Sequence, residues 1–338
     1  MRILYTGPLA PGETCEMRRQ ALERLGHETI PVDYLPFMRR VPRLARRLQW
    51  HLRVGPMIVR YNREILARLR ERPDALWVDK GMFVHLAVLR EARRIGVRHI
   101  VHYSPDNYLL SQNASRHLWR ALPLYDLVVT TKRHNVDALR SRSARKVFLS
   151  GNAYDPPTHR PLHPDALARP FRCDVSFVGR FEPDREWLLE DLGGLGIELS
   201  IRGGGWQRAR SGCVRAAVRQ GPALADDYAR AIVGARINLG LVSRLAADEI
   251  TQRSIEIPAC GGFMLAERTA EHLAHFTEGE EAVFFAGLDE LRDKVRFYLT
   301  HERERRRIAA AGRDRCLRSG YSYDERLRTI LAHLESLG

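Results

Sequence analysis

Short apolar runs, each the length of one buried β-strand, alternate along this chain with longer segments whose apolar residues recur every three or four positions. Few folds tolerate that alternation. Strands apolar on both faces belong to parallel sheets, and parallel strands need crossover helices that cover the sheet. The first series predicts strands at Ile3–Thr6, Thr29–Val32, Ala75–Val78, His99–Tyr103, Leu127–Thr130 and Lys146–Leu149. Helices fall between them at Glu13–Leu25, Arg60–Arg72, His85–Ile95, Ser115–Ala121 and His134–Ser141. Gly151–Pro170 then carries five prolines and no periodic apolar face, which marks a linker. A second series places strands near Asp174–Val178, Glu198–Ile201, Ile237–Val242, Phe263–Ala266 and Val283–Phe285. A helical tail follows at Leu288–Leu299, Glu302–Leu317 and Tyr323–Leu337.

A length of 338 residues suits two domains better than one. The expected organisation is α/β, with two doubly wound, Rossmann-like domains facing each other across a cleft. Residues 1–155 form the first, 156–172 the linker, 173–320 the second, and 321–338 a last helix. Such sheets bind ligands at the carboxyl ends of their strands. The plan suits a sugar transferase, a nicotinamide-dependent enzyme or a non-catalytic binding protein, and does not choose among them.

No run of about 18 apolar residues is present to span a bilayer. Met1–Gly7 reads as a buried strand, not a secretion signal. Cys15, Cys173, Cys213, Cys260 and Cys316 form no C-x-x-C pair, which argues against a metal site and fits free thiols in a reducing cytoplasm. The net charge of +14 is one-sided. Residues 1–160 hold 29 Lys and Arg against 14 Asp and Glu, whereas residues 161–338 hold 26 against 27. A positive first half calls for an acidic or membrane-associated acceptor, and for a place at the inner membrane face. Nucleic acid is disfavoured, because no recognised module accompanies the charge.

The most basic stretch is Arg39–Arg53, in which Leu44, Leu48 and Leu52 share one helical face. The favoured reading is a solvated helix packed on its domain by those leucines. Binding to anionic lipid or to a phosphate-bearing acceptor is the other.

The most informative segment runs from Asp248 and Glu249 through Arg253-Ser254-Ile255-Glu256 to Ile257-Pro258-Ala259-Cys260-Gly261-Gly262-Phe263. An acid, seven intervening residues and Glu256 precede a small-residue turn and a buried strand. A carboxylate so placed can accept both hydroxyls of a ribose. Read plainly, Glu256 is instead a solvated helix residue and Gly261-Gly262 a helix cap. A second motif ends the first strand of the second half, at Phe177-Val178-Gly179-Arg180-Phe181-Glu182-Pro183-Asp184-Arg185. Gly203-Gly204-Gly205-Trp206 ends the next strand.

The Asp248–Leu265 segment resembles the C-terminal signature of group 1 glycosyltransferases of the GT-B fold, in which an E-x7-E pair precedes an Ala-Cys-Gly turn. With Glu267-Arg268-Thr269 it is similar, more narrowly, to the CgeB-like (spore-maturation protein) glycosyltransferases. That similarity runs on through Phe276, Glu278-Gly279, Glu281-Ala282 and Tyr298-Leu299 to Tyr323 and Arg326. The first half matches loosely, at Tyr103-Ser104-Pro105-Asp106-Asn107 and Tyr154-Asp155.

The resemblance implies a hexosyltransferase-like enzyme with a nucleoside-diphosphate sugar as donor, a UDP-sugar favoured, no tightly bound cofactor, and a last helix, 321–338, that returns toward the first domain. Glu256 would hold the donor ribose. Asp248 falls where the family has a glutamate near the donor sugar, with Glu249 as its neighbour. Gly179, Arg180 and Arg185 match the residues that meet and neutralise the diphosphate, Arg185 standing for a lysine. The acid-x7-Glu arrangement accompanies retention of the anomeric configuration. No D-x-D motif is present to hold a metal against the diphosphate. Gly204, Trp206 and Tyr228 are candidates to line the base or sugar, and Gly261 and Gly262 to approach it. In the first half His102 and Asp106 end a central strand and are candidates to orient the sugars. Asp79-Lys80-Gly81 ends another strand, and Gly7–Gly12 lacks the dinucleotide fingerprint.

Overall fold

The computed structural model describes residues 1–142, 144–162, 171–221 and 223–337. The chain divides into two compact units, Met1–Gly151 with Tyr323–Gly338, and Asn152–Ser322.

The first unit contains β1 (Arg2–Gly7), α1 (Thr14–Arg24), β2 (Glu28–Asp33), α2 (Leu35–Arg39), α3 (Arg43–Leu52), α4 (Pro56–Leu69) and β3 (Ala75–Asp79). It continues with α5 (Leu86–Arg94), β4 (His99–Ser104), α6 (Arg116–Ala121), β5 (Leu127–Thr130), α7 (Asn135–Ser141) and β6 (Val147–Leu149). The six strands are parallel, in the order β2-β1-β3-β4-β5-β6. Side chains alternate between two buried faces. Leu4, Leu76, Ile100 and Val128 join the core beneath α4 and α5. On the other face Tyr5, Trp77 and Tyr103 stack across neighbouring strands. Arg18 of α1 lies over this ladder, fully buried, and forms a two-pronged ion pair with Asp79 at 2.8 and 3.1 Å.

The second unit contains β7 (Cys173–Val178), α8 (Pro183–Gly193), β8 (Leu199–Arg202), α9 (Gly212–Ala217), α10 (Asp226–Val233) and β9 (Ala235–Gly240). After these come α11 (Arg253–Ala259), β10 (Met264–Glu267), α12 (Ala270–His275), β11 (Val283–Phe285), α13 (Leu288–Thr300) and α14 (Glu302–Arg318). Its parallel sheet runs β11-β10-β9-β7-β8. Counted within each unit, both sheets follow the order 2-1-3-4-5, which the first extends with a sixth strand, so the winding reverses between β1 and β3 and between β7 and β9. Those two reversals are where such sheets receive ligands.

The last helix, α15 (Tyr323–Glu335), belongs to the first unit. It covers α1: Tyr323 Oη accepts a hydrogen bond from Arg18 at 3.2 Å, and Asp324 pairs with Arg24 at 2.6 Å.

Two expectations change here. The residues expected to close the first domain, Asn152–Asp155, belong to the second unit. Asn152 Nδ2 donates to the Ile250 carbonyl, Gln252 Nε2 to that of Ala153, and Tyr154 pairs with Ser322. The rest of the expected linker is divided. Residues 156–162 also lie in this unit, and 163–170, with Pro164 and Pro170, lie outside the described residues. The second change concerns α3. Its leucines do not pack on the domain: Leu44 is 80% exposed, and Leu48 and Leu52 are each 59% exposed. Trp50 takes the inward position instead, edge-on against Phe83.

Candidate active site

The loop after β9 and the first turn of α11 carry the acidic pair. Glu256 is only 6% exposed, which removes the reading of a solvated helix residue. Burial pushes its carboxyl up to about 7, opposed by Tyr228 and by the Arg253 guanidinium. His159 faces it, with Nε2 3.5 Å from Glu256 Oε1. The His159 ring has a defined tautomer, since Nδ1 accepts the Asp155 backbone N–H at 2.8 Å and the proton therefore sits on Nε2. Burial lowers the His159 pKa to about 4, so the ring is neutral. Tyr228 stands edge-on to His159, with ring centres 5.2 Å apart. Glu256 is thus a buried carboxyl with the neutral His159 ring and Tyr228 beside it.

Arg253 lies one turn earlier on α11. Its Nη2 donates to the Leu241 carbonyl at 3.3 Å, while its buried Nε has no hydrogen-bond partner. Arg185 shares the Phe177 ring with it, the two guanidinium carbons lying 5.7 and 5.6 Å from the ring centre. Burial, then repulsion from Arg253, draws the Arg185 pKa down to about 10. Arg185 is committed locally: Nε and Nη2 donate to the Val242 carbonyl, Nη1 donates to the Arg180 carbonyl, and Glu182 pairs with it at 2.8 Å. Arg180 is exposed at the end of β7 and forms no ion pair among the described residues.

Gly179 and Gly203 bring the ends of β7 and β8 together. A Cβ on Gly203, at φ 136°, would come within 2.1 Å of the Gly179 carbonyl oxygen. That oxygen also accepts the Trp206 indole N–H at 2.8 Å. Trp206 is 2% exposed and packs edge-on against Phe177 and Phe181, so it is a core residue here. Gly204 is open to solvent. A cavity of about 530 Å³ opens at the carboxyl ends of the strands, lined by Glu182, Arg185, Trp187, Arg244 and Glu267 among others. Glu267 ends β10, and its Oε1 accepts the Val242 N–H at 2.8 Å while Oε2 pairs with Arg244 at 2.5 Å.

The predicted residues do not all converge. Glu256, Tyr228, Asp248, Gly179, Arg180 and Arg185 lie toward the carboxyl ends of the second sheet. Asp248 is half-buried and its charge raises the Arg185 pKa, whereas Glu249 is exposed. Gly261 and Gly262 lie at the opposite end, just before β10 begins. Gly261, at φ 78°, and Gly262, whose N–H reaches back to the Ile257 carbonyl, end α11 as a helix cap. In the first unit His102 is fully buried, with Nδ1 on the Val78 carbonyl at 3.0 Å and Nε2 on the Tyr108 hydroxyl at 2.6 Å. Burial lowers its pKa to about 4, and neither nitrogen is left for a substrate. Asp106 is half-buried with Lys80 3.9 Å away, and Lys80 holds a left-handed backbone, φ 61°.

His159, Arg253 and Glu267 went unselected in the sequence. Arg253 and Glu267 lay inside the quoted motifs, but nothing in their spacing marked them. His159 is 97 positions from its partner, and only the fold joins them.

Residues 184–332 match the family described as glycosyl transferase-like. No curated protein matches the chain in sequence. Among solved structures, HepE of Anabaena in complex with UDP and glucose is 12% identical, with 99% of this chain and 100% of that one covered and a TM-score of 0.67. Sucrose-phosphate synthase of Thermosynechococcus elongatus is 13% identical over 100% of both chains, at a TM-score of 0.68. A glycosyltransferase of Rickettsia africae is 12% identical over 99% of this chain and 98% of its own, at 0.65. The chain therefore has the GT-B fold, and its residues 184–332 match the glycosyl transferase-like family.

Proposed function

We propose that this chain transfers a sugar from a nucleoside-diphosphate sugar, a UDP-sugar favoured, to an acidic or membrane-associated acceptor. The observation that carries the reading is Glu256, a buried carboxyl within the segment that matches the glycosyl transferase-like family, with His159 Nε2 3.5 Å away. It occupies the position that the resembled enzymes use to hold ribose hydroxyls. Support for uridine comes from HepE, which has been solved with UDP and with UDP-glucose.

In this reading Glu256 accepts from the ribose, and Arg180 meets the diphosphate at the end of β7. Arg185 shapes the loop that presents Arg180, and Asp248 lies toward the donor sugar. When the sugar–oxygen bond breaks, negative charge grows on the departing diphosphate, and a fixed cation lowers that barrier. The diphosphate takes the acceptor's proton as the new glycosidic bond forms on the same face, so the anomeric configuration is retained. His102 supplies no base, since both its nitrogens are engaged. With cations in this role no metal is needed.

Calorimetry with UDP tests the central claim. Glu256→Ala should weaken binding roughly 10- to 150-fold, about 1.5–3 kcal/mol. Unchanged affinity in a folded variant overturns it. Proton NMR of early product, with EDTA present, tests the chemistry: an inverted anomer or a requirement for Mn²⁺ removes the retaining, metal-free mechanism.

A further inference from the structure

α3 is held to its unit along one side only. Trp50 packs edge-on against Phe83, and Gln49 Oε1 accepts the Met57 N–H at 2.9 Å. Arg53, at φ 57°, ends the helix with its guanidinium over Trp50 and Phe83 and one N–H on the Gln112 carbonyl. With these anchors turned inward, Leu44, Leu48 and Leu52 form an outward strip, and Val54, just past the helix, is also exposed, at 48%. Residues at i, i+4 and i+8 are neighbours on a helix, so the strip is continuous.

Cations surround it. Arg39, Arg40, Arg43 and Arg47 are exposed, and none forms an ion pair among the described residues. The thirty residues from Tyr34 to Arg63 contain eight arginines and no Asp or Glu. An ordinary surface helix turns its leucines in and its charges out. Here both face water together, so the matching surface must be apolar and anionic at once. A bilayer of acidic phospholipid presents that combination in layers, with phosphates above acyl chains.

We propose that α3 is the element by which the first unit lies on an anionic phospholipid surface. The leucines enter the acyl boundary, and Arg39, Arg40, Arg43 and Arg47 meet the phosphates. This deepens the proposed function, resting on its membrane-associated acceptor, and the test below separates the two.

The full chain is floated with phosphatidylcholine vesicles, with and without phosphatidylglycerol, at about 0.1 M and about 1 M salt. Binding is expected only with phosphatidylglycerol, and weakened about tenfold or more at high salt. Leu44→Ser, Leu48→Ser and Leu52→Ser combined should lose binding to a similar degree, as should Arg43→Glu with Arg47→Glu. Both variants should keep the wild-type thermal shift with UDP. No binding at low salt, or equal binding by the serine variant, overturns the proposal. So does a dimer in sedimentation velocity that the serine changes dissociate, which would assign the strip to a second copy. Vesicle binding without any UDP shift in the wild type would support the surface and remove the transferase reading.

Discussion

Glu256 pays for its position in stability. Its carboxyl rises from the usual 4.5 to about 7, so the folded protein holds that proton more tightly than the unfolded chain does. The associated stability is fully present below pH 4.5 and is lost as pH rises through 7. Glu256→Gln has no such proton to lose. In urea unfolding without ligand, the variant should gain on the wild type between pH 4.5 and 8, by on the order of 2–3 kcal/mol. A constant difference across that range would show that the carboxyl is not raised. The same side chain should bind nucleotide less well below about pH 7, where it is protonated. Glu256 was readable in the sequence because a motif surrounds it. His159 was not, because a lone histidine in a proline-rich stretch carries no signal until Asp155 fixes its tautomer and the fold brings it to α11.

At the scale of elements, the strands were the most legible feature. Leu127–Thr130 agrees in both bounds, because a run of four apolar or β-branched residues buried on both faces has few other uses. Helix boundaries differ by a few residues, and α2 went unread because Pro36 and five residues make little periodicity. α3 shows a deeper limit. Its spacing revealed that the leucines share a face, but the direction of that face depended on Trp50 and Arg53 reaching Phe83. α8 separates two arginines that the motif treated alike. Arg185, 4% exposed, ties α8 to the Arg180 and Val242 carbonyls, while Arg180 projects into solvent. Arg185→Ala would strand Glu182 and two carbonyls, and should cost about 2–3 kcal/mol in thermal unfolding. Arg180→Ala should change stability by less than about 0.5 kcal/mol yet lower kcat more than it raises KM. Equal loss of stability in both variants would contradict this division.

In the whole molecule, two sheets that share the order 2-1-3-4-5, one with a sixth strand, are built from one chain, and this was legible as two series of strands separated by prolines. The boundaries were not. The return of α15 to the first unit, implied by the resemblance but not by spacing, rests on contacts between residues some three hundred positions apart, such as Arg24 with Asp324. The second unit begins and ends as one continuous segment, so a 152–322 fragment should unfold cooperatively in urea on its own. The 1–151 fragment should not, since it lacks Leu327, Ile330 and Leu334, all buried against it in the full chain. A non-cooperative 152–322 fragment, or a cooperative 1–151 fragment, would sink the division.

The placement of α15 also sets an order on biosynthesis. A ribosome releases β1 to β6 long before Tyr323–Glu335 emerges, and throughout that interval α1 waits with Arg18 lacking its tyrosine partner. The second unit, complete by Ser322, can therefore mature while the nascent first unit is still open. Premature termination anywhere within Tyr323–Glu335 would spare the unit that carries Glu256 and leave the other without its covering helix.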